Sequence, residues 1–347
     1  MRKAECHWNQ DEAAKLLANA ETLHLASSTP EGRPVLRALH AVSVGDLIAF
    51  HGAKAGERKL CLGREAVVSA ERILANIPSY FVDPERACPA TTYYESAQAR
   101  GRLVEVTDLD EKAAVIEALM QKYQPEGKYE PLSATHPLYE KALKGLLVFG
   151  IRIEERTGKY QAAQRRKGEE LTRILEGLWL RGNAGDLVAI DYIMNSRPDA
   201  LFSRLAGKAD WVLRSQLSTG HAEQVAHLLR ETYWNQQTSA QAIESAHKGS
   251  TAWVGALASD GSVRGSARAL ADGSKSAWIY DVIVDEQYRG NGIGYAVMKL
   301  LLDHPKVRNC QSVALATRDA KQFYEKFGFR TTGTYTPAGF SHMLLTR

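Results

Sequence analysis

The chain has 347 residues, 44% of them hydrophobic and 24% charged, and a formal net charge of +4. That length exceeds a usual single domain and the composition is ordinary for a globular protein, so two domains, each with its own core, are expected. The positive charge is small and scattered, no apolar run nears the roughly 18 residues of a membrane span, and the start "MRKAECHWNQDEAAK" is too polar for a secretory signal. Nucleic-acid and membrane binding therefore have no support.

The densest basic run, "QRRK" at 164–167, reads as a solvated helix or linker face. Cys6, Cys61, Cys88 and Cys310 are far apart and form no C-x-x-C pair, which argues against a zinc ribbon, a redox motif or a disulfide framework. No metal centre is expected, and a reducing cytoplasm fits best.

Residues 1–160 read mainly as strands: "TLHLAS" (22–27), "RPVLRALHAVSV" (33–44), "DLIAFHG" (46–52), "AVVSAE" (66–71), "TTYYESAQARGRLVEVTD" (91–108) and "LLVFGIRIEERTGK" (146–159). In the last, Phe149, Ile151 and Ile153 alternate with Gly150, Arg152 and Glu154, the period of a half-buried strand. One amphipathic helix is expected at 110–124, opened by Asp110 and Glu111. Many strands and few helices suggest a barrel or sandwich.

From about 161 to 205 the pattern turns helical, with a Gly-rich turn at 182–185 and Pro198 as a stop, and reads as a helical linker finishing the first domain. The boundaries expected are 1–165, a helical extension at 166–208, and a second domain at 209–347. Near Trp211 a new alternation begins: strand, helix "HAEQVAHLLRETYW", helix "SAQAIESAHKG", three strands, helix, strand "SVALAT" and helix "DAKQFYEKF".

The third of those strands, "AWIYDVIV" (277–284), runs into "DEQYRGNGIG". After it Ile293, Ala296, Val297, Leu300 and Leu301 share one helix face, so Gly290, Gly292 and Gly294 sit at a strand-to-helix turn. Backbone N–H groups there converge on an anion, the helix terminus adds partial positive charge, and the missing Cβ atoms let a phosphate come close. The spacing is not G-x-G-x-x-G, and no G-K-[ST] follows, which disfavours a dinucleotide fold and a P-loop.

What remains, Gln287-x-x-Gly290-x-Gly292, resembles the GNAT superfamily of N-acetyltransferases, whose signature at this junction is [QR]-x-x-G-x-[GA]. "VALATRDAKQFYEKFGFRTTG" (313–333) is similar to that superfamily's closing strand, helix and Gly-Phe turn, and the likeness extends upstream through "ETYW" (231–234) and "GSARALAD" (265–272). It covers about residues 209–347 and implies an α/β fold with a mixed, mostly antiparallel sheet. It implies acetyl-CoA with its pyrophosphate over Arg289, Gly290, Asn291, Gly292, Ile293 and Gly294, and Thr317 also in the coenzyme set. It further implies a strand that splays from its neighbour, so that backbone groups of Val282, Ile283 and Val284 hold the pantetheine and polarise the thioester.

By the same resemblance Tyr324 is the proton donor to the departing thiolate. Its alternative is a core residue, since Ala320, Phe323, Tyr324 and Phe327 form a helical stripe. Asp281 would lie beside the thioester as a general base, or else as a buried carboxylate paired with Arg268. Trp234 is a candidate wall of the acceptor pocket, or merely a domain-stabilising aromatic. Asp319 and Gln322 fit a helix N-cap and its partner.

In the first half, "FHGAKAGERK" (50–59) puts Arg58 and Lys59 at a helix start, a pair suited to a phosphate monoester. With "TTYYESAQARGRLVEVTDLDEK" (91–112), it resembles the pyridoxamine 5′-phosphate oxidase-like split barrels, especially the nitroimidazole-resistance-type branch. Over roughly residues 7–160 the resemblance implies an all-β split barrel with a few helices that binds FMN as a homodimer. Arg58 and Lys59, with Arg37, would hold the flavin phosphate, and Phe50 and His51 would flank the ring or ribityl chain. "GE" precedes Arg58 here as an insertion relative to shorter forms of the loop. Haem is the lesser alternative, with His51 as its ligand.

The whole-chain expectation is an acetyl-CoA-dependent N-acetyltransferase acting on a small-molecule amine, fused to an FMN-binding oxidoreductase-like barrel. The alternatives are a non-catalytic sensor binding flavin or haem, and a barrel that only dimerises.

Overall fold

The computed structural model describes residues 6–53, 57–197, 199–208, 210–335 and 339–347, apart from the side chains at 57, 58, 334 and 335. Its contacts divide the chain into two compact units, one of residues 1–76 and 92–164, the other of residues 77–91 and 165–347.

The first unit contains β1 (His7–Trp8), α1 (Gln10–Asn19), β2 (Leu23–Ser28), β3 (Pro34–Leu39), β4 (Val42–Val44), β5 (Leu47–Gly52) and α2 (Glu57–Leu60). They are followed by β6 (Glu65–Ile77), β7 (Thr91–Val106), α3 (Leu109–Tyr123), α4 (Glu140–Gly145) and β8 (Leu147–Gln161). The strands form one curled antiparallel sheet, a half-barrel, in the order β3-β2-β6-β7-β8-β5-β4, with β1 added on β8.

Alternation along these strands turns Leu23, Leu25, Ile48, Phe50, Leu103 and Phe149 into the core. At Gly101 β7 carries a register shift against β8, and an added Cβ would lie 1.8 Å from Arg152 O, so only glycine fits there. The expected single strand at 33–44 breaks at His40–Ala41 into β3 and β4. The helix α1 was not anticipated. Asn9 caps it by accepting the Glu12 N–H at 2.8 Å, and it buries Ala13 and Leu17.

The second unit contains α5 (Gly168–Arg181), α6 (Ala184–Ser196), β9 (Val212–Arg214), α7 (Ala222–Leu229), α8 (Ala240–Lys248), β10 (Ala252–Leu257), β11 (Val263–Ala271) and β12 (Ser276–Val284). It closes with α9 (Ile293–Asp303), β13 (Ser312–Thr317), α10 (Lys321–Glu325), β14 (Arg330–Tyr335) and β15 (Phe340–Thr346). The sheet order is β14-β15-β13-β12-β11-β10-β9, antiparallel except between β12 and β13.

The α5–α6 pair packs into this second unit rather than finishing the first. Trp179, fully buried, donates its indole N–H to Asp303 at the end of α9 (3.0 Å), Arg308 donates to Leu180 O (2.6 Å), and Gly182 lies against Pro305. The chain between β6 and β7 belongs here too, with Phe81 against Gly177, where a Cβ would come within 2.7 Å of the ring. Among the described residues no helix is long and apolar enough to cross a membrane.

Candidate active site

The centre of the second unit is an irregularity in β12. Arg268 pairs with Tyr280 and Ser266 with Ile283, so Asp281 and Val282 together oppose Ala267, a β-bulge. Asp281 takes φ +51°, the left-handed region that a non-glycine residue seldom occupies outside a constrained site. Its carboxylate is held on both oxygens. Oδ2 accepts Arg268 Nε at 2.6 Å, and Oδ1 accepts Trp234 Nε1 at 3.0 Å and Asn235 Nδ2 at 3.4 Å. Of the two expected roles for Asp281, the pairing with Arg268 is therefore present in the structure.

β12 pairs with β13 only through Ser276, Ala277 and Trp278, after which the two parallel strands separate. On the other edge Asp285 N–H donates to Arg264 O at 3.0 Å. Backbone alternation then aims the Val284 N–H at the edge β13 has left. The opening between the strands is the splay expected beside Val282, Ile283 and Val284. Ile283 differs from the two valines in turning its side chain into the core.

Beyond the splay, Asp285 caps a short turn by accepting Gln287 N–H (3.1 Å), and Arg289 pairs with Glu286 (2.9 Å). Gly290 and Gly292 have φ of +84° and +83°, and Gly292 is the residue from which α9 starts. A Cβ on Gly290 would meet nothing within 4 Å, so backbone conformation rather than crowding demands glycine there. Gln287, Arg289, Gly290, Asn291 and Gly292 are exposed. The first N–H groups of α9, at Ile293 and Gly294, have no acceptor within the helix.

Two cavities meet beside the bulge. One, of about 850 Å³, runs along Val282, Val284, Arg289, Gly294 and Phe323. The other, of about 490 Å³, is walled by Trp234, Trp278, Tyr280, Arg268 and Phe340. Tyr233, Trp234, Val282, Asp319 and Tyr324 border both. Trp234, 36% exposed, thus lines the smaller cavity. The expected helix carrying it ends earlier, at Leu229, whose carbonyl accepts the Thr232 hydroxyl at 2.7 Å. Tyr233 and Trp234 follow in a turned segment.

Tyr324 is buried at 9% exposure, with its ring edge-on to Phe323 and Phe329. Burial, then Tyr233 and Asp319 nearby, push its phenol well above the usual tyrosine range, so it stays protonated. The Tyr233 hydroxyl donates to Asp319 Oδ1 at 3.1 Å and accepts Arg318 N–H at 3.2 Å. That corrects the expected cap: Asp319 is tied to Tyr233, and Thr317 Oγ1 accepts Ala320 N–H at 3.1 Å at the start of α10. Thr317, 4% exposed, thereby joins the wall of the smaller cavity as well as the cap.

Sequence reading missed Asn235 and Lys208, whose spacing carries no motif. Lys208 Nζ donates to Asn291 O at 3.0 Å and so braces the glycine turn.

The described candidate flavin residues of the first unit lie on three elements, β3, β5 and α2. Phe50 is fully buried and stacks on Phe149 with ring centroids 5.6 Å apart, so it cannot flank a ring from outside, a correction to its expected role. His51 is on the opposite face of β5 and exposed, Arg37 is exposed on β3, and Lys59 is exposed on α2. The side chain of Arg58 lies outside the described residues. Among the described residues no cluster of three or more His, Cys, Asp or Glu could hold a metal ion.

A family model described as "Pyridoxamine 5'-phosphate oxidase" matches residues 9–160, and one described as "Acetyltransferase (GNAT) family" matches residues 222–329. Among curated proteins, the glucosamine 6-phosphate N-acetyltransferase of Arabidopsis thaliana is 39% identical over 75 residues, 21% of this chain. The chain spans 50% of the length of that relative. Among solved structures, an FAD and heme binding protein from Mycobacterium smegmatis is similar at 18% identity and TM-score 0.37, over 49% of this chain and 78% of its own. Ard1 from Thermoplasma volcanium is similar at 24% identity and TM-score 0.34, over 40% of this chain and 98% of its own. The chain therefore joins a pyridoxamine 5′-phosphate oxidase-like domain at residues 9–160 to a domain of the GNAT acetyltransferase family at residues 222–329.

Proposed function

We propose that the second unit transfers an acetyl group from acetyl-CoA to a small-molecule amine. The observation that carries this reading is the meeting of two cavities at Val282 and Tyr324, one leading to the glycine turn and the other to an aromatic-walled pocket. In this reading the coenzyme's pyrophosphate lies over the N–H groups of Arg289 to Gly294, where the helix start favours negative charge. The pantetheine enters the splay between β12 and β13, and backbone N–H groups near Val282 and Val284 polarise the thioester carbonyl.

The amine comes from the smaller cavity, its carbon body against Trp234, Tyr280 and Phe340. Its nitrogen attacks the thioester carbon, the C–S bond breaks, and the Tyr324 phenol gives its proton to the leaving thiolate. The proton lost by nitrogen passes to water, and the phenolate recovers one. Of the two roles for Asp281 we propose the paired one: it orients Trp234 and fixes the bulge, as a positioning residue. The similarity to an N-acetyltransferase over 75 residues supports acetyl transfer without naming this chain's acceptor. Incubation with acetyl-CoA and a panel of amines, followed by thiol release and by the mass of the acetylated product, tests the reading.

For the first unit we propose an FMN cofactor at the interface of a homodimer formed through the barrel. The family match over residues 9–160 supports it. In one chain Phe50 is in the core, while Arg37, His51 and Lys59 occupy exposed positions. When bound, the group would supply electron transfer. An absorption spectrum of the purified protein, with its mass in solution, tests the proposal: a flavin spectrum on a dimer is expected, and a colourless monomer overturns it.

A further inference from the structure

The smaller active-site cavity has two chemically different ends. Tyr233, Trp234, Asp319 and Tyr324 border it where it meets the coenzyme cavity, whereas Trp278, Tyr280 and Phe340 border the smaller cavity alone. Direct contacts join most of these groups into one wall. Phe340 lies 5.6 Å from Tyr233 and Tyr233 lies 4.7 Å from Trp234, centroid to centroid, and the Trp234 indole N–H donates to Asp281. Asp281 in turn holds Arg268, whose guanidinium lies over Tyr280, and Tyr280 is 6.0 Å from Trp278, two positions away on the same face of β12.

The rings keep surface open. Trp234 and Tyr280 are each 36% exposed, and Trp278 and Phe340 are half-buried. At about 490 Å³ the cavity falls in the range of about 300–1,000 Å³ usual for small-molecule sites. Such a wall suits a flat apolar body, which gains from aromatic contact and asks for no hydrogen-bond partner.

The charges of the wall disfavour a second class of body. Among the described residues that line the cavity the charged side chains are Arg268, Asp281 and Asp319, one positive against two negative. Arg268 is 12% exposed and already committed to Asp281 and to the Tyr280 ring. Arg318 lies over the Tyr233 ring, 3.8 Å from its centroid, and His342 lies 5.3 Å from the Trp278 ring, but neither lines the cavity. A carboxylate or phosphate on the acceptor would lose water against a net negative wall, with no uncommitted cation there to replace its hydration. An ammonium is instead attracted by the carboxylates and by the ring faces.

We propose that the acceptor is an arylalkylamine: a primary amine on a short chain from an aromatic ring, carrying neither carboxylate nor phosphate. The assignment rests on acetyl transfer by the second unit and narrows it. The ring of the acceptor lies against Trp278, Tyr280 and Phe340, and its amine reaches the shared end beside Asp319 and Tyr324. There the ammonium releases its proton to water, its nitrogen bonds to the acetyl carbon and the C–S bond breaks. Ammonium and thioester thus give an amide, the coenzyme A thiol and one proton, and the uncharged amide no longer feels the attraction that drew the ammonium in.

The test is steady-state kinetics of the full-length protein with acetyl-CoA and matched acceptors, read by thiol release and product mass, with coenzyme A binding measured by calorimetry on the same protein. Phenethylamine is compared with L-phenylalanine, which adds a carboxylate, with L-phenylalaninamide, which keeps the added bulk without the charge, and with glucosamine and its 6-phosphate. Corrected for the fraction of neutral amine, kcat/KM is expected to be at least about tenfold higher for phenethylamine and phenylalaninamide than for phenylalanine and the two sugars. Asp319→Asn, which can still accept from Tyr233, should narrow the ratio between phenethylamine and phenylalanine. Trp278→Leu should raise KM for phenethylamine several-fold with kcat less affected. Phenylalanine or either sugar turned over as efficiently as phenethylamine overturns the proposal and leaves acetyl transfer standing, as does coenzyme A binding without turnover of phenethylamine. Neither coenzyme A binding nor thiol release with any amine removes acetyl transfer itself, and the proposal with it.

Discussion

Arg268 donates from Nε to Asp281 Oδ2 at 2.6 Å across the bulge of β12, with the two side chains only 12% and 10% exposed. The same guanidinium lies over Tyr280, 4.6 Å from the ring centroid, so one cation fixes the bulge and one wall of the pocket. Removing one partner leaves a largely desolvated charge behind. Asp281→Ala is predicted to destabilise the protein by about 3–5 kcal/mol, the range for a broken buried pair. Asp281→Asn, which keeps the shape, should cost less, about 1–3 kcal/mol. Urea unfolding of the two variants reads the order, and equal, negligible losses would remove the pairing from the account.

Tyr324 borders both cavities and stays protonated. Tyr324→Phe is predicted to lower kcat by about 10²- to 10⁴-fold, the usual span for a positioned acid, with coenzyme A affinity little changed. Steady-state kinetics beside calorimetric binding separates these effects.

The pKa of Tyr324 is raised on folding, so its contribution to stability is present below the ordinary value of 10.0 and is lost as pH rises through the folded value. Turnover should accordingly show no alkaline decline at the ordinary tyrosine pKa. A fall in kcat centred there would assign the donor to another group.

The glycine turn gives a third prediction. Gly290 and Gly292 sit at φ +84° and +83°, and a Cβ would meet nothing within 4 Å at Gly290 and only Lys208 Nζ, at 3.6 Å, at Gly292, so alanine brings backbone strain without a clash. Each Gly→Ala change should cost about 1–2 kcal/mol of stability and weaken coenzyme A binding by a comparable factor. Thermal unfolding and calorimetry check both.

His304 gives the acid side of the pH dependence. Its folded pKa, about 4, lies below its ordinary 6.5, so burying the neutral ring favours the fold above 6.5, and that contribution is lost as pH falls toward 4. His304→Gln should flatten the stability slope in that window when unfolding free energy is measured against pH.

Much of this fold was legible because burial imposes period on sequence. Phe149 and Ile151 alternate into the first core as β8 requires, and Val297, Leu300 and Leu301 share the buried face of α9. The glycines before α9 were legible because positive φ excludes most other residues. What was not legible depended on tertiary partners. The ends of α7 and α10 are set by the hydroxyls of Thr232 and Thr317, whose local choice among acceptors leaves no periodic trace. The bulge at Asp281 was equally silent, since its positive φ is held by Arg268, Trp234 and Asn235, all distant in sequence or on other elements. Phe50 failed as a ligand-flanking residue because its strand position alternates inward onto Phe149.

The central claim is that the second unit holds acetyl-CoA in the cleft between the glycine turn and Tyr324 and passes its acetyl group to an amine. The most direct measurement is mass spectrometry of an amine panel incubated with acetyl-CoA and either the wild-type protein or Tyr324→Phe, with coenzyme A binding measured on the same samples. The account predicts an acetylated amine and an equivalent release of thiol from the wild type, a strong loss with Tyr324→Phe, and the same coenzyme affinity in both. Wild-type protein that neither binds coenzyme A nor acetylates any amine would contradict it.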